Sequence, residues 1–337
     1  MALGTVLVVF GVLGAVLRAA PDPAPSGEPT AVPAEGTRPP GQACGSSLQA
    51  VIDGAPAGTT LDLRGCAYTS GATIGKQLTL IGAAIRVPAG RAGITVTADD
   101  VALDGLQVTG PQSTAFVIEE AGVYARGTPQ APIRRLTIRN CTIRSFGGFG
   151  AYLGLVADLR LLENEVEDVV YAGLVVLSAA GGTIEGNTVR RIGVQGSEAN
   201  GGNAYGIALT TLPAGDVPTT DYAVQDNTIE DVPTWHALDT HGGRRIVFAG
   251  NTVRRSMRGI FLTTDDAGNR PTDIAVVDNR LLSPAPVDTN LAAVTTYDAD
   301  TVAILRNRVT GWGTGNFFTD FEDRSTRIVI AENVIGP

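Results

Sequence analysis

The chain has 337 residues, a formal net charge of −9 and 42 glycines. An acidic balance lacks the clustered Lys and Arg that phosphate neutralisation needs, which argues against a nucleic-acid partner. Lysine is nearly absent (Lys76 alone), so arginine carries the positive charge, and the length fits one large domain or two ordinary ones.

Residues Ala2 to Leu17 are almost wholly apolar, and Arg18 follows. The run has the length of a signal-peptide core and is short for a membrane span. No basic residue precedes it. Residues 1–20 therefore read as a signal peptide or an uncleaved membrane anchor, with a buried helix as the plain alternative. The stretch "PDPAPSGEPTAVPAEGTRPPGQ" makes residues 21–43 a proline-rich linker that does not pack. Together these segments predict export, to a secreted, cell-surface or periplasmic location. A membrane is a partner only if the first segment is retained. Cys44 and Cys66 flank the first element of the folded part, and export predicts a disulfide between them. Two buried thiols are the alternative, and Cys141 has no obvious partner. In "GSSLQAVIDGAP", Leu48, Val51 and Ile52 lie at helical spacing and predict a short helix that caps the open end of the folded part.

From there the sequence repeats. A six-residue phrase recurs as "LLENEV", "IEGNTV", "VQDNTI", "FAGNTV", "VVDNRL", "ILRNRV" and "IAENVI". Its fourth position is asparagine seven times: Asn164, Asn187, Asn227, Asn251, Asn279, Asn307 and Asn333. Weaker copies place Ala83, Leu106 and Cys141 there, and the asparagines are 23 to 40 residues apart. Each phrase reads as a short β-branched strand, a tight corner and a second strand. Asparagine suits the corner because it tolerates left-handed dihedrals, and stacked coils would let the amides bond as a ladder. These features resemble the right-handed parallel β-helix superfamily typified by pectate lyases, over roughly residues 58 to 337. The resemblance implies an all-β, single-stranded right-handed parallel β-helix over residues 44–337. About ten coils with an asparagine ladder would make a rod roughly 50 Å long at ~4.8 Å per coil. The chain stops at Pro337 just after the last corner, so a partner or further chain is expected to cover that end.

A third strand comes after each phrase, beyond a loop of variable length. In register these read "AGLVVL", "YGIALTT", "WHALDTH", "RGIFLTT", "LAAVTTY" and "NFFTDFED". Substrate clefts of the resembled superfamily lie along this sheet, beneath the loops, the longest of which are residues 191–203 and 212–221. Both histidines of the chain, His236 and His241, fall on this face, with Trp235 and Asp239 beside them. The alignment predicts His236 level with Gly206 and Gly259 and outward, and Asp239 and His241 inward with Leu209 and Leu262. An unsupported Asp and His inside an apolar solenoid would be costly. The strand is therefore expected to break at Leu238, near Gly242 and Gly243, or the two to form a satisfied internal pair.

Histidine titrates nearest neutrality, and an adjacent carboxylate orients and tunes it, so this cluster predicts acid–base catalysis. Asp239-Thr240-His241 resembles the Asp-Pro-His core of β-helix alginate epimerases and their lyase relatives, with threonine for proline. The family's tyrosine falls at His236. The resemblance implies proton removal and return by His241 and His236, with Asp239 positioning them or helping to neutralise a uronate. Arg258, one coil on, is expected to bind the carboxylate bidentately. Trp235, Tyr205, Phe261 and Tyr297 read as a sugar-stacking row, with Asp265 and Asp320 as further substrate contacts. The same His and Asp residues also offer metal donors, though without a recognised zinc spacing. Asp266, Asp298 and Asp323 align over three coils as oxygen donors for calcium, with solvated turn acids as the alternative. No cofactor is required. The function expected is attack on an acidic polysaccharide by proton abstraction at a uronate carbon, as a lyase or C5-epimerase. Hydrolysis by Asp265, Asp266 and Asp320 is the enzymatic alternative, and a non-catalytic glycan-binding solenoid is the other.

Overall fold

The computed structural model describes residues 44–194, 202–212, 217–284, 292–312 and 316–336. The apolar N-terminal run, the proline-rich stretch and parts of both long loops lie outside these residues. The described chain is an all-β parallel solenoid. One sheet stacks eleven strands in chain order, from Thr59–Asp62 to Thr326–Ala331. The other two faces of each coil form a second, 19-stranded sheet that bends around the rod, and the part of it built from the third strand of each coil is called the third sheet.

Alternation along these short strands sends every second side chain inward. Register then stacks like on like: Leu61, Leu80, Leu103 and Ile138 succeed one another down the first sheet. Leu161, Ile184, Val224 and Phe248 continue the column, all essentially without solvent contact. Each such side chain contributes about 1.5–3 kcal/mol on burial.

The asparagines do form a ladder. The Oδ1 of each, from Asn187 to Asn333, accepts the backbone N–H and the Nδ2–H of the asparagine one coil before it, at 2.8–3.0 Å. Asn164 performs the same service for the Cys141 backbone N–H. Tolerance of left-handed dihedrals is not what places asparagine here, because none of the seven is left-handed. The residue before each one is: Glu163, Gly186, Asp226, Gly250, Asp278, Arg306 and Glu332 all have φ between +54° and +66°. Asparagine is selected at this corner for its amide.

The corners also carry a second kind of stack, which at Asp278 and Arg306 adjoins the asparagine ladder itself. Asp100, Asp168, Asp221, Asp231 and Asp278 are left-handed, and so are the arginines above them, Arg135, Arg191, Arg245, Arg255 and Arg306. Each arginine grips its aspartate through Nε and Nη2. The planar guanidinium is suited to this fork and an ammonium is not, which accounts for a chain rich in arginine and almost free of lysine.

The N-terminal helix, Leu48–Gly54, is capped by Ser47 and buries Leu48 and Ile52 against the first coils. Cys44 and Cys66 are joined in a disulfide, and Cys141 is buried and free. Burial pushes the Cys141 thiol up to about 12, so this group is inert.

Candidate active site

Both histidines lie on the 14-residue strand Thr228–His241. The predicted break at Leu238 does not occur; the strand ends beyond His241, at the left-handed Gly242. In this coil Pro233, Thr234 and Trp235 stand where the next coil has only Met257 between the paired positions 256 and 258. The two extra residues leave everything after them one residue off the expected alignment. His236 pairs with Tyr205 and Arg258, and Asp239 with Ala208 and Phe261. Ala237, not His236, holds the level of Gly206 and Gly259, where a Cβ on Gly206 would lie 2.4 Å from the Ala237 carbonyl.

A slip of one residue exchanges the two faces of a strand. Asp239 and His241 consequently project from the outside of the solenoid, and Thr240 turns into the core between Leu209 and Leu262. Asp239 is nonetheless fully shielded from solvent, His236 is 1% exposed, and only the His241 side chain, at 30%, meets solvent appreciably. The coil carries a structural cost. Five of the eight buried polar side-chain atoms without a hydrogen-bond partner, among the described residues, belong to this one strand. Two of the five, Asp239 Oδ1 and His241 Nε2, face each other at 3.0 Å, and the Thr240 hydroxyl points into the core.

Four side chains form a relay. Arg258 Nη1 donates to His236 Nε2 at 2.9 Å, His236 Nδ1 contacts Asp239 Oδ2, and Asp239 Oδ1 lies 3.0 Å from His241 Nε2. That last contact is close but off the axis of a well-formed hydrogen bond. A guanidinium only donates, so His236 must accept at Nε2 and carry its proton on Nδ1. His236 is therefore neutral, with both nitrogens engaged. In this arrangement neither ring nitrogen of His236 is open to a ligand. Burial is also the main influence on its pKa and lowers it, against the pull of Asp239.

His241 differs. Burial opposes its charge, but Asp239, helped by Asp266 and Asp265, outweighs burial and raises its pKa. Burial likewise works against ionisation of Asp239, and the charge on His241 together with the hydrogen bonds of both imidazoles overcomes it, keeping the carboxyl below the ordinary carboxylate range. With Nε2 turned to the carboxylate, Nδ1 is the nitrogen left to meet a ligand. The arrangement can exchange a proton at one defined atom.

Aromatic rings enclose the relay. The His236 ring is sandwiched between Trp235 and Phe261, at centroid distances of 4.6 and 4.2 Å. The Arg258 guanidinium lies 4.6 Å from the Trp235 ring centre. Tyr205 stands edge-on to both histidines, and burial, followed by the Asp239 charge, pushes its phenol far up. Tyr205, Tyr171 and Phe149 continue edge to face along the outer side of the third sheet. Of these, sequence reasoning missed Tyr171, which precedes its strand, and Phe149, which starts the third strand of an earlier coil.

The other predicted site residues are placed elsewhere. Tyr297 is two coils on from His241 and is held by Arg324. Asp320 accepts from Thr296 and Ser325. Asp265 closes a turn by accepting from Ala267 and Asn269, although its charge still reaches His241. The predicted calcium column is not assembled. Asp298 is paired with Arg270, and among the described residues only His236, Asp239 and His241 group as metal donors. Those three do not suit a cation as arranged. Arg258 occupies the Nε2 lone pair of His236, and Nδ1 bears the proton turned to Asp239.

Fold and site together define a right-handed parallel β-helix with an outward-facing Asp–His relay on its third sheet. The family described as the right handed beta helix region matches residues 79–281, and the chain belongs to it. No curated protein sequence matches significantly. Among solved structures, the Dettilon tailspike protein is similar at a TM-score of 0.60 and 13% identity, over 88% of this chain and 60% of that one. The GH136 lacto-N-biosidase from Eubacterium ramulus is similar at 0.55 and 13%, over 80% of this chain. This chain spans about half of that protein, 51%. The A-module of the Azotobacter vinelandii mannuronan C-5 epimerase AlgE4 is similar at 0.52 and 12%, over 83% and 87%. At such identities the likeness is one of fold.

Proposed function

We propose that the chain is an exported carbohydrate-active protein that abstracts the proton from a uronate carbon of an acidic polysaccharide, as a lyase or C5-epimerase. The observation that carries this reading is the unequal treatment of the two histidines by one carboxylate. His236 is fixed neutral between Arg258 and Asp239, while His241 keeps a free Nδ1 backed by the Asp239 charge. Neutral His241 would take the proton α to the uronate carboxylate, and Asp239 would stabilise the imidazolium formed. Arg258 spends one N–H on His236, and its remaining N–H groups suit a carboxylate, whose neutralisation eases loss of the adjacent proton. The electron pair left on carbon would then expel the oxygen at the neighbouring position, giving an unsaturated uronate. Return of a proton to the opposite face would give the epimer. With His236 occupied, Tyr205, protonated and edge-on to His241, is the other group suited to that return.

The similar structures named for a mannuronan epimerase and a lacto-N-biosidase support carbohydrate as the substrate class, and the Cys44–Cys66 disulfide supports an oxidising location. Hydrolysis is less well supported, since its acid needs a raised pKa. The hydrogen bonds of Asp265 instead outweigh its burial and lower its pKa, and Asp320 is bound within its own turn. Incubation with polyuronates decides the matter. Ultraviolet absorbance at new chain ends indicates a lyase and altered C5 configuration an epimerase. Reducing ends without absorbance would reject the proposal in favour of hydrolysis.

A further inference from the structure

The outer face of the third sheet continues toward the N-terminus beyond the relay, and its columns are not uniform. Along the column that holds Asp239, the preceding coils place Ala208, Val175, Tyr152 and Tyr124 in register. Tyr124 and Tyr152 stack at 5.1 Å with their planes 9° apart. The stack ends at Tyr152, because Val175 and Ala208 carry no ring; Phe149 meets the half-buried Tyr152 ring at 5.0 Å, nearly edge to face. Three coil steps, about 14 Å at ~4.8 Å each, separate Tyr152 from Asp239.

Beside this ring lies Arg126, in register with Gly154. Its side chain is exposed, and among the described residues no ion pair or hydrogen bond engages the guanidinium. This contrasts with the corner arginines, each held by an acid of the coil before. Its charge nevertheless reaches Tyr152, working against the burial that raises that phenol. Between the two, Gly154 leaves a slot: a Cβ there would lie 3.5 Å from Tyr152 Cε1, 3.6 Å from Arg126 Cγ and 3.8 Å from Leu212 Cδ2. A partly exposed tyrosine ring, an unpaired planar cation and a glycine between them offer stacking to a pyranose and a fork to its carboxylate.

We propose that Tyr152, backed by Tyr124, and Arg126 form a second subsite for an acidic sugar, three coils N-terminal to the relay, so that a bound polyuronate runs parallel to the solenoid axis. The class of ligand rests on the function proposed above, but the subsite can be tested without turnover. The His241→Gln protein is titrated calorimetrically with oligouronates from alginate and from polygalacturonate, shorter and longer than the distance from the relay to Tyr152. Neutral cello-oligosaccharides serve as controls.

Arg126→Ala and Tyr152→Ala in that background should each weaken binding of the long acidic oligomers about tenfold, equivalent to ~1.4 kcal/mol, and leave the short ones unchanged. Added salt should diminish the effect of Arg126. Arg126 is exposed, so its variant keeps the test valid if Tyr152→Ala misfolds. Equal losses for short and long oligomers, no loss in either variant, or no binding of acidic oligomers by the parent would overturn the subsite. If no polyuronate is turned over by the unmutated protein while long-chain binding still depends on Arg126, the subsite stands and the catalytic reading falls. Turnover indifferent to Arg126 and Tyr152 defeats the subsite alone.

Discussion

Replacing Asn227 with alanine removes four hydrogen bonds from the middle of the ladder. Its Nδ2 donates to Ile184 O and Asn251 Oδ1 at 2.8 and 3.0 Å, and its Oδ1 accepts from N and Nδ2 of Asn187, both at 2.9 Å. Not every partner is left bare. Asn187 Nδ2 keeps the carbonyls of Leu161 and Glu185, and Asn251 Oδ1 keeps the backbone N–H of residue 227. The Asn187 backbone N–H loses its acceptor and the Ile184 carbonyl its side-chain donor, both shielded from water. One orphaned buried donor costs about 1–3 kcal/mol and the lost bond to the carbonyl about 1 more, for a total of about 2–4 kcal/mol. Urea unfolding followed by far-ultraviolet circular dichroism measures this directly. Asn333 is the control, because its side chain is partly open to water that can replace it, and its alanine variant should lose under about 1 kcal/mol. Equal losses at the two positions, or less than about 1 kcal/mol at Asn227, would show that the ladder does not stabilise the coils as argued.

Having only two histidines, the chain should give two imidazole signals in a proton NMR titration, one with a midpoint above the ordinary ~6.5 and one below it. A raised folded pKa at His241 stabilises the fold below its unfolded pKa and is lost as pH rises through the folded value. The lowered His236 contributes the opposite, costing stability as pH falls below ~6.5; two midpoints on the same side of ~6.5 would refute the relay. Turnover should rise with pH through the raised His241 midpoint, because the base must be neutral, and a rate that falls there would contradict its role. His241→Gln should cost at least ~10²-fold in turnover with little change in melting temperature, and a large loss of stability with full activity would make it structural. The folded protein, unreduced and then denatured, should present one thiol. Reducing Cys44–Cys66, 22 residues apart, should cost about 3 kcal/mol by loop entropy, and three thiols before reduction would refute the bond.

The fold was largely legible because the repeated phrase joins two independent signals, β-branched alternation and an amide at one corner. The left-handed position beside each asparagine was harder to see, since Glu, Gly, Asp and Arg all occupy it and share no composition. The aspartate–arginine clamps were invisible for another reason: the partners are 23 to 35 residues apart, so no local spacing announces them. At the site, residue types were readable and orientation was not. Three residues facing one across Val232 to His236 left the register one residue off the expected alignment of His236 with Gly206 and Gly259, and with period two that single step exchanged inside for outside. The correction lay in the glycine column, since Gly150, Gly173, Gly206 and Gly259 come so close to the next coil's backbone that only a small residue fits, and Ala237 is the candidate in this coil. The different duties of the two histidines depend on Arg258, a donor from the next coil that fixes one tautomer.

The central claim is that His241, held by Asp239, removes a proton from a uronate carbon. The most direct measurement is exchange of that proton. Polyuronate is incubated in deuterated water with the unmutated protein and with His241→Gln, and deuterium at C5, together with any unsaturated product, is read by NMR. The account predicts C5 deuteration or an unsaturated uronate with the unmutated protein, and its loss by at least ~10²-fold in the variant. Polyuronate that binds but remains fully protonated at C5 and uncleaved, or exchange that persists undiminished in His241→Gln, would contradict it.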